Sequence, residues 1–508
     1  MSSALLLSLV VIYFLVLLGV AWYTSRNANN DSFFIGNRNS NWMLVAFGMI
    51  GTSLSGVTFV SVPGTVGTNG FGYFQVVIGY FLGYFIVAFI LLPLYYKLQL
   101  TSIYNYLNQR FGTTAYKTGA LFFIISRTLG ATARLYLVIN VLQLFILNDL
   151  EVPFWATTLI ILFMILMYTF KGGVKTIVFT DTLQTTFMLL GLIVCILFIM
   201  NSLHLSLSSA LQQLEDKGYT KIINTDISSG GFWAKQIIGG AFITVGMTGL
   251  DQEMMQKNIS VRTLKDSQKN MMTFSSIMVI VNLLFLLLGG LLYLFAAQHN
   301  ITVVGDDLFP SIALSTGSDT TYFPALVSFI FITGLISALF PSADGAITAL
   351  TSSFCIDILG IKRQKDLSEQ QQKKARLTVH LSFTILFFIC VLLFKQINSK
   401  SIIYDIMNIA GYTYGPLLGL FAFGIFTNRQ ITNKMMTVVV CLAAPMLCYL
   451  ISKYSASWLG GFKIGIELLI INGLLTFAGL WLISVKNNKA DVTNMIKTMQ
   501  GNGKDVRR

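Results

Sequence analysis

Long apolar runs alternate with short polar segments along the whole chain. The runs cover about residues 4–22, 41–67, 71–96, 117–147, 153–170, 176–203, 233–253, 271–298, 321–358, 377–396, 401–427, 432–452 and 463–485. Each is long enough to cross a hydrocarbon layer of about 30 Å as a helix. None shows the strict alternation of a transmembrane barrel strand. The pattern predicts an all-α polytopic membrane protein with about thirteen transmembrane helices.

One run breaks the apolar pattern from within. Between Asn41 and Gly67 its middle carries Gly51, Thr52, Ser53, Ser55, Gly56, Thr58 and Ser61, with Pro63 beyond. Backbone groups freed at membrane depth are tolerated where they line a protein cavity. A helix break at Gly56 would present carbonyl oxygens to a cation or solute, whereas close packing through small residues is the competing reading. Two blocks of five runs, 41–203 and 233–427, each open on a Gly-interrupted helix, the second reading IIGGAFITVGMTGLDQEMMQ. Five crossings is an odd number, so the second block is inverted relative to the first. This 5+5 inverted-repeat arrangement, with broken first helices, is a transporter architecture that puts the site at the bilayer midplane. The expected organisation is a first transmembrane helix and linker (1–40), the first repeat (41–203), an extracellular loop (204–232) and the second repeat (233–427). Two accessory helices (428–485) and a cytoplasmic tail (486–508) follow.

Composition narrows the function classes. The 508 residues are 55% hydrophobic and 11% charged, against about 25% charged in soluble domains. The net charge of +13 suits cytoplasmic loops and anionic headgroups, with no need of nucleic acid. With the N-terminus outside and the C-terminus cytoplasmic, most Lys and Arg, Lys257 and Arg262 among them, fall in inside loops. Lys217, Lys221, Lys235, Lys395, Lys400, Lys453 and Lys463 stay outside, and Arg127 and Arg134 remain in the membrane. The start lacks a basic n-region and a small-residue cleavage site, so the first run reads as a retained helix of a multi-pass plasma- or inner-membrane protein. The loops 204–232, 299–320 and 359–376 are too short for a catalytic domain, and no enzyme is expected. His204, His299 and His380 are scattered, and the five cysteines lie in apolar runs, so neither set has metal-ligand spacing.

Charges inside a membrane each cost about 2.5–3.5 kcal/mol on insertion scales and mark function. Asp181, in GGVKTIVFTDTLQ, and Asp344, in ISALFPSADGAITALTSSFCIDIL, are candidates to bind sodium or carry protons. A helix cap or a pair with Lys175 is the structural alternative for Asp181. Pro341 removes a helical donor and frees the Ser337 carbonyl, a second candidate break beside Ser342 and Asp344. Arg127 and Arg134, seven residues apart, lie about 20° from each other on one helix face. Buried guanidinium groups require anions; Asp181 is a candidate for one and a substrate carboxylate for the other, with snorkelling as the alternative. Tyr73, Gln75 and Tyr80 offer polar tips on an apolar wall, or, for Tyr73 above all, an interfacial aromatic belt.

The segments TSLSGVTFVSVPG, LPLYYKLQLTSIYNYLNQRFG, YTFKGGVKTIVFTDTLQ, ISALFPSADGAITALTSSFCIDIL and GYTYGPLLGLFAFGIFTNR resemble, in order and spacing, the sodium/solute symporter family from about residue 5 to residue 450. The resemblance implies a LeuT-type inverted-repeat fold that couples sodium influx to uptake of a small solute. It implies a sodium site built from carbonyls at Gly51, Leu54 and Ala338 and from two adjacent hydroxyl residues. Here those two positions hold Pro341 and Ser342, so one hydroxyl is missing. A second sodium site of some sialic acid transporters matches Asp181, with helix hydroxyl positions that here are Asp344 and Gly345. The substrate positions of those transporters match Ser55 and Thr58. A glutamine position holds Tyr80, and an arginine position holds Gly130, one turn from both Arg127 and Arg134.

The sequence thus points to sodium-coupled symport of a small organic anion, such as a sialic acid or monocarboxylate, by alternating access. Expected sodium-binding residues are Gly51, Leu54, Ala338, Ser342, Asp181 and Asp344; expected substrate residues are Ser55, Thr58, Gln75, Tyr80, Arg127 and Arg134. Na+ is the coupling ion, and the partners are a small-molecule solute, sodium and membrane lipid, with no obligate protein partner. A neutral sugar or amino acid is the alternative substrate. A channel or a transport-dead sensor is the alternative class, opposed by the lack of a polar stripe or an output domain.

Overall fold

In the computed structural model the described residues are 3–26, 33–34, 38–314, 322–364, 366–397, 402–458, 460–462 and 464–486. The expected tail beyond 486 lies outside them. The long helices are α1 (Ser3–Thr24), α2 (Trp42–Ser53), α3 (Gly56–Asn69), α4 (Phe74–Ile86, extended through a π turn to Lys97), α5 (Thr113–Leu142), α6 (Phe154–Ser202) and α7 (Trp233–Thr244). They continue with α8 (Gln252–Ile259), α9 (Leu264–Gln298), α10 (Ala325–Ser353), α11 (Glu369–Ile397), α12 (Ile402–Thr413), α13 (Gly415–Phe426), α14 (Lys434–Trp458) and α15 (Leu468–Leu482). Every apolar run of the sequence holds helix. By length and composition, seven described helical spans can cross a membrane, or eight if the bent pair α12–α13 counts as one.

Several sequence features set the element ends. Asn41 caps α2 by accepting the Met43 N–H, and Asp251 caps α8 by accepting those of Glu253 and Met254. Gly173 holds φ of +56° inside α6, a conformation open to glycine at little cost. There the long helix kinks, which separates the apolar segment Phe154–Phe170 from the crossing-length segment Thr176–Ser202 with no loop between them. Residues 429–431 pair with 484–486 in a two-stranded antiparallel ribbon. It is the one strand pair among the described residues, and it ties the end of α15 to the connection before α14.

Packing shows the inverted repeat. The broken first helix of each block lies against the second helix of the other block: α3 on α9, and α7 on α4. These exchanged pairs form a four-helix bundle. Around it, α6 and α10 make the most extensive helix pair of the molecule, and α2 packs on both. The core positions of these helices are small or apolar and almost fully buried.

Candidate functional site

The break in the first block spans Leu54 and Ser55, immediately before Gly56. Leu54 leaves the helix (φ −85°, ψ 79°) and Ser55 is extended (φ −73°, ψ 174°). Helix ends leave carbonyls without partners, and here they stay so: among the described residues no hydrogen bond reaches the carbonyl oxygens of Gly51 or Leu54, both buried. Gly51 also permits a close approach to α6. Its N–H lies 3.0 Å from Thr185 Oγ1, and a Cβ there would fall 2.5 Å from that oxygen. The second break is treated differently. Tyr95 and Tyr104 donate to the Gly249 and Leu250 carbonyls, each at 2.8 Å. One break is sealed by tyrosines and the other keeps free oxygens.

Ala338 and Ser342 lie on α10, which packs on α2. Ser342 donates to the Leu339 carbonyl at 2.9 Å, leaving its oxygen able to accept a cation. Pro341 does not break the helix as its sequence suggests: α10 is helical from Ala325 to Ser353 through it. Proline removes one N–H there, but the extensive packing against α6 holds the helical path.

Two adjoining cavities, of about 90 and 70 Å³, meet at Ser53, Tyr80 and Arg134. The smaller is also lined by Leu54, Ser55, Thr58, Tyr73, Asn282 and Met407, and the larger by Thr52, Tyr84, Arg127 and Thr248. Arg134 is half-buried, and among the described residues its guanidinium has neither a hydrogen bond nor an ion pair. Both cavities are smaller than the about 300–1,000 Å³ usual for ligand pockets. A vestibule of about 620 Å³ lies beyond them, and Tyr73 and Met407 line both spaces. The Tyr73 and Tyr80 hydroxyls are 3.4 Å apart. Gln75 is placed away from the inner cavities. It lines the vestibule, donates to the Gly72 carbonyl at 3.0 Å and accepts the Asn224 N–H at 3.2 Å, fastening the 222–232 segment.

Below the break lies a buried charge network that the sequence reading missed. That reading put Lys257 in a cytoplasmic loop; the structure buries it. Its Nζ donates to Asp181 Oδ2 at 2.7 Å, to Thr52 Oγ1 at 2.6 Å and to Glu253 Oε1 at 3.5 Å. Glu253 Oε2 pairs with Arg127, whose guanidinium also lies 3.8 Å from Asp251 Oδ2. Asp251 Oδ2 accepts from the Tyr414 hydroxyl at 2.7 Å. Arg127 therefore has Glu253, not Asp181, as its anion, and Asp181 is held by Lys257; the Lys175 side chain is outside the described residues. Asp344 accepts the Tyr168 hydroxyl at 2.7 Å on Oδ2 and, among the described residues, has no ion pair. The missed signal was DQEMMQK itself: Asp251 is a cap, and Glu253 and Lys257, four apart, share one face of a new helix. The apolar run closes at residue 253, which separates Glu253 from Lys257 and leaves the lysine in a loop.

Comparison with known proteins gives the family and the fold. The sequence profile of the Sodium:solute symporter family matches residues 33–439. The Sodium/sialic acid symporter SiaT of Proteus mirabilis is 24% identical over 466 residues, covering 87% of this chain and 88% of its own. The Sodium-coupled monocarboxylate transporter 2 of Bos taurus is 25% identical over 418 residues, 79% of this chain and 64% of its own. A solved structure of a Na+-coupled sialic acid symporter in a substrate-bound outward-open state superposes with a TM-score of 0.80 at 20% identity, covering 94% of this chain and 97% of that one.

Proposed function

Because this chain belongs to the sodium:solute symporter family, we propose that it is a secondary active transporter in which sodium influx drives uptake of a small organic anion. The observation that carries the reading is the open break: two buried carbonyl oxygens, at Gly51 and Leu54, lack any hydrogen-bond partner among the described residues. Buried carbonyls left unpaired in a membrane cost several kcal/mol, and a sodium ion satisfies them. The Ala338 carbonyl and Ser342 on α10 complete the set. Pro341 contributes no side-chain oxygen, so this site has fewer ligands than the family pattern.

The unpaired Arg134 favours an anionic solute. A carboxylate in the inner cavity would take two parallel hydrogen bonds from its guanidinium, with Ser55, Thr58 and Tyr80 on its flanks. Arg127, already paired, holds the fold. Tyr73, Tyr80 and Met407 form the outer partition, which opens to the vestibule to admit the solute and closes over it. Alternating access then carries both through, driven by the sodium concentration gradient; voltage adds about 2.3 kcal/mol per 100 mV only for each net charge moved. Relatives named for sialic acid and for monocarboxylates both take anions of this kind.

The test is thermal stabilisation of purified protein by a panel of sialic acid, pyruvate, lactate, glucose, galactose and proline, in sodium and in potassium. A ligand at 100 times its Kd adds about 2.7 kcal/mol to the folded state. An acid that stabilises in sodium alone is the expected result. Stabilisation by a neutral solute instead would remove Arg134 from recognition.

A further inference from the structure

The resemblance to sialic acid transporters places a second sodium ion at Asp181, held there with hydroxyls of the α10 helix. The geometry here differs at each point. Gly345 has no side-chain oxygen, and the space it leaves is taken by Glu253: a Cβ at Gly345 would lie 2.2 Å from Glu253 Oε1. Asp344 spends Oδ2 on the Tyr168 hydroxyl and Oδ1 on the Gly345 N–H. In the middle stands an ammonium group with three donors and three oxygens around it, Asp181 Oδ2, Thr52 Oγ1 and Glu253 Oε1.

We propose that the Lys257 ammonium is a built-in cation that replaces a second sodium ion at Asp181, so that this symporter binds one sodium ion, at the α2 break. The inference rests on the sodium-coupled reading above. Lys257 is 2% exposed and Asp181 fully buried, so the ammonium does not exchange with solvent while the pair is intact. Asp181 Oδ1 is buried and, among the described residues, has no hydrogen-bond partner. A sodium ion on Oδ1 would stand only about 4–5 Å from Nζ, two like charges in a poorly screening interior. Glu253 is anchored through its other oxygen by Arg127, so its carboxylate is held on both sides. The fixed charge therefore stays through the transport cycle and contributes no sodium to the driving force.

Equilibrium binding of radioactive sodium to the purified protein, with no solute present, tests this. Wild type is expected to bind one sodium ion per chain, Asp181→Asn also one, and Lys257→Gln two. Two ions in wild type falling to one in Asp181→Asn would overturn the proposal, as would a folded Lys257→Gln that still binds one. Should Lys257→Gln fail to fold, the comparison of wild type with Asp181→Asn decides alone. A wild type that binds no sodium, while a solute still stabilises it in potassium, sinks the sodium-coupled reading instead, which is a distinct outcome.

Discussion

Two arginines on one helix face differ in their partners. Arg127 is sealed against Glu253 and Asp251, whereas Arg134 faces the cavity unpaired. Breaking a buried pair costs about 3–5 kcal/mol because a charge is stranded. Arg127→Gln should therefore lower the unfolding temperature in detergent strongly. Arg134→Gln should leave that temperature nearly unchanged but raise the KM for an anionic solute by about 10–100-fold, the worth of a hydrogen bond to a charged group of about 1.5–3 kcal/mol. Gly345→Ala should destabilise by about 1–3 kcal/mol, since its methyl group collides with Glu253. The sequence made both arginines visible as costly intramembrane charges but could not tell them apart. Their distinction depends on Glu253, brought to Arg127 by tertiary packing.

At the scale of the element, the broken helix was legible and the proline was misleading. Gly51, Ser53, Ser55 and Gly56 announce a weak segment, and the break falls at Leu54 and Ser55 within it. Pro341 announces one too, yet α10 passes through it, held by α6. Local chemistry fixes where a helix is weak; neighbours decide whether it opens. The α8 segment shows the converse, since its polar composition reads as a loop and its burial comes wholly from the surrounding helices. Gly51→Ala tests the open break. Its added carbon meets Thr185 Oγ1 and shifts the neighbouring carbonyl, so the sodium concentration for half-maximal stabilisation should rise several-fold. The double variant Gly51→Ala with Thr185→Ala, which removes the hydroxyl, should recover most of the loss.

Over the whole molecule, the exchanged packing of α3 on α9 and α7 on α4 ties the two inverted blocks together. Span count and the odd number of helices per block were enough to infer that arrangement from sequence. What they could not supply is its asymmetry: Tyr95 and Tyr104 close one break, and among the described residues the Gly51 and Leu54 carbonyls of the other have no hydrogen-bond partner. The most direct measurement is uptake into proteoliposomes of whichever organic acid stabilises the protein, under an inward sodium gradient and under an equal potassium gradient. Transient accumulation above the external concentration is expected with sodium, none with potassium, and its loss in Arg134→Gln. Uptake of equal size with either cation, or undiminished uptake by Arg134→Gln, would contradict it.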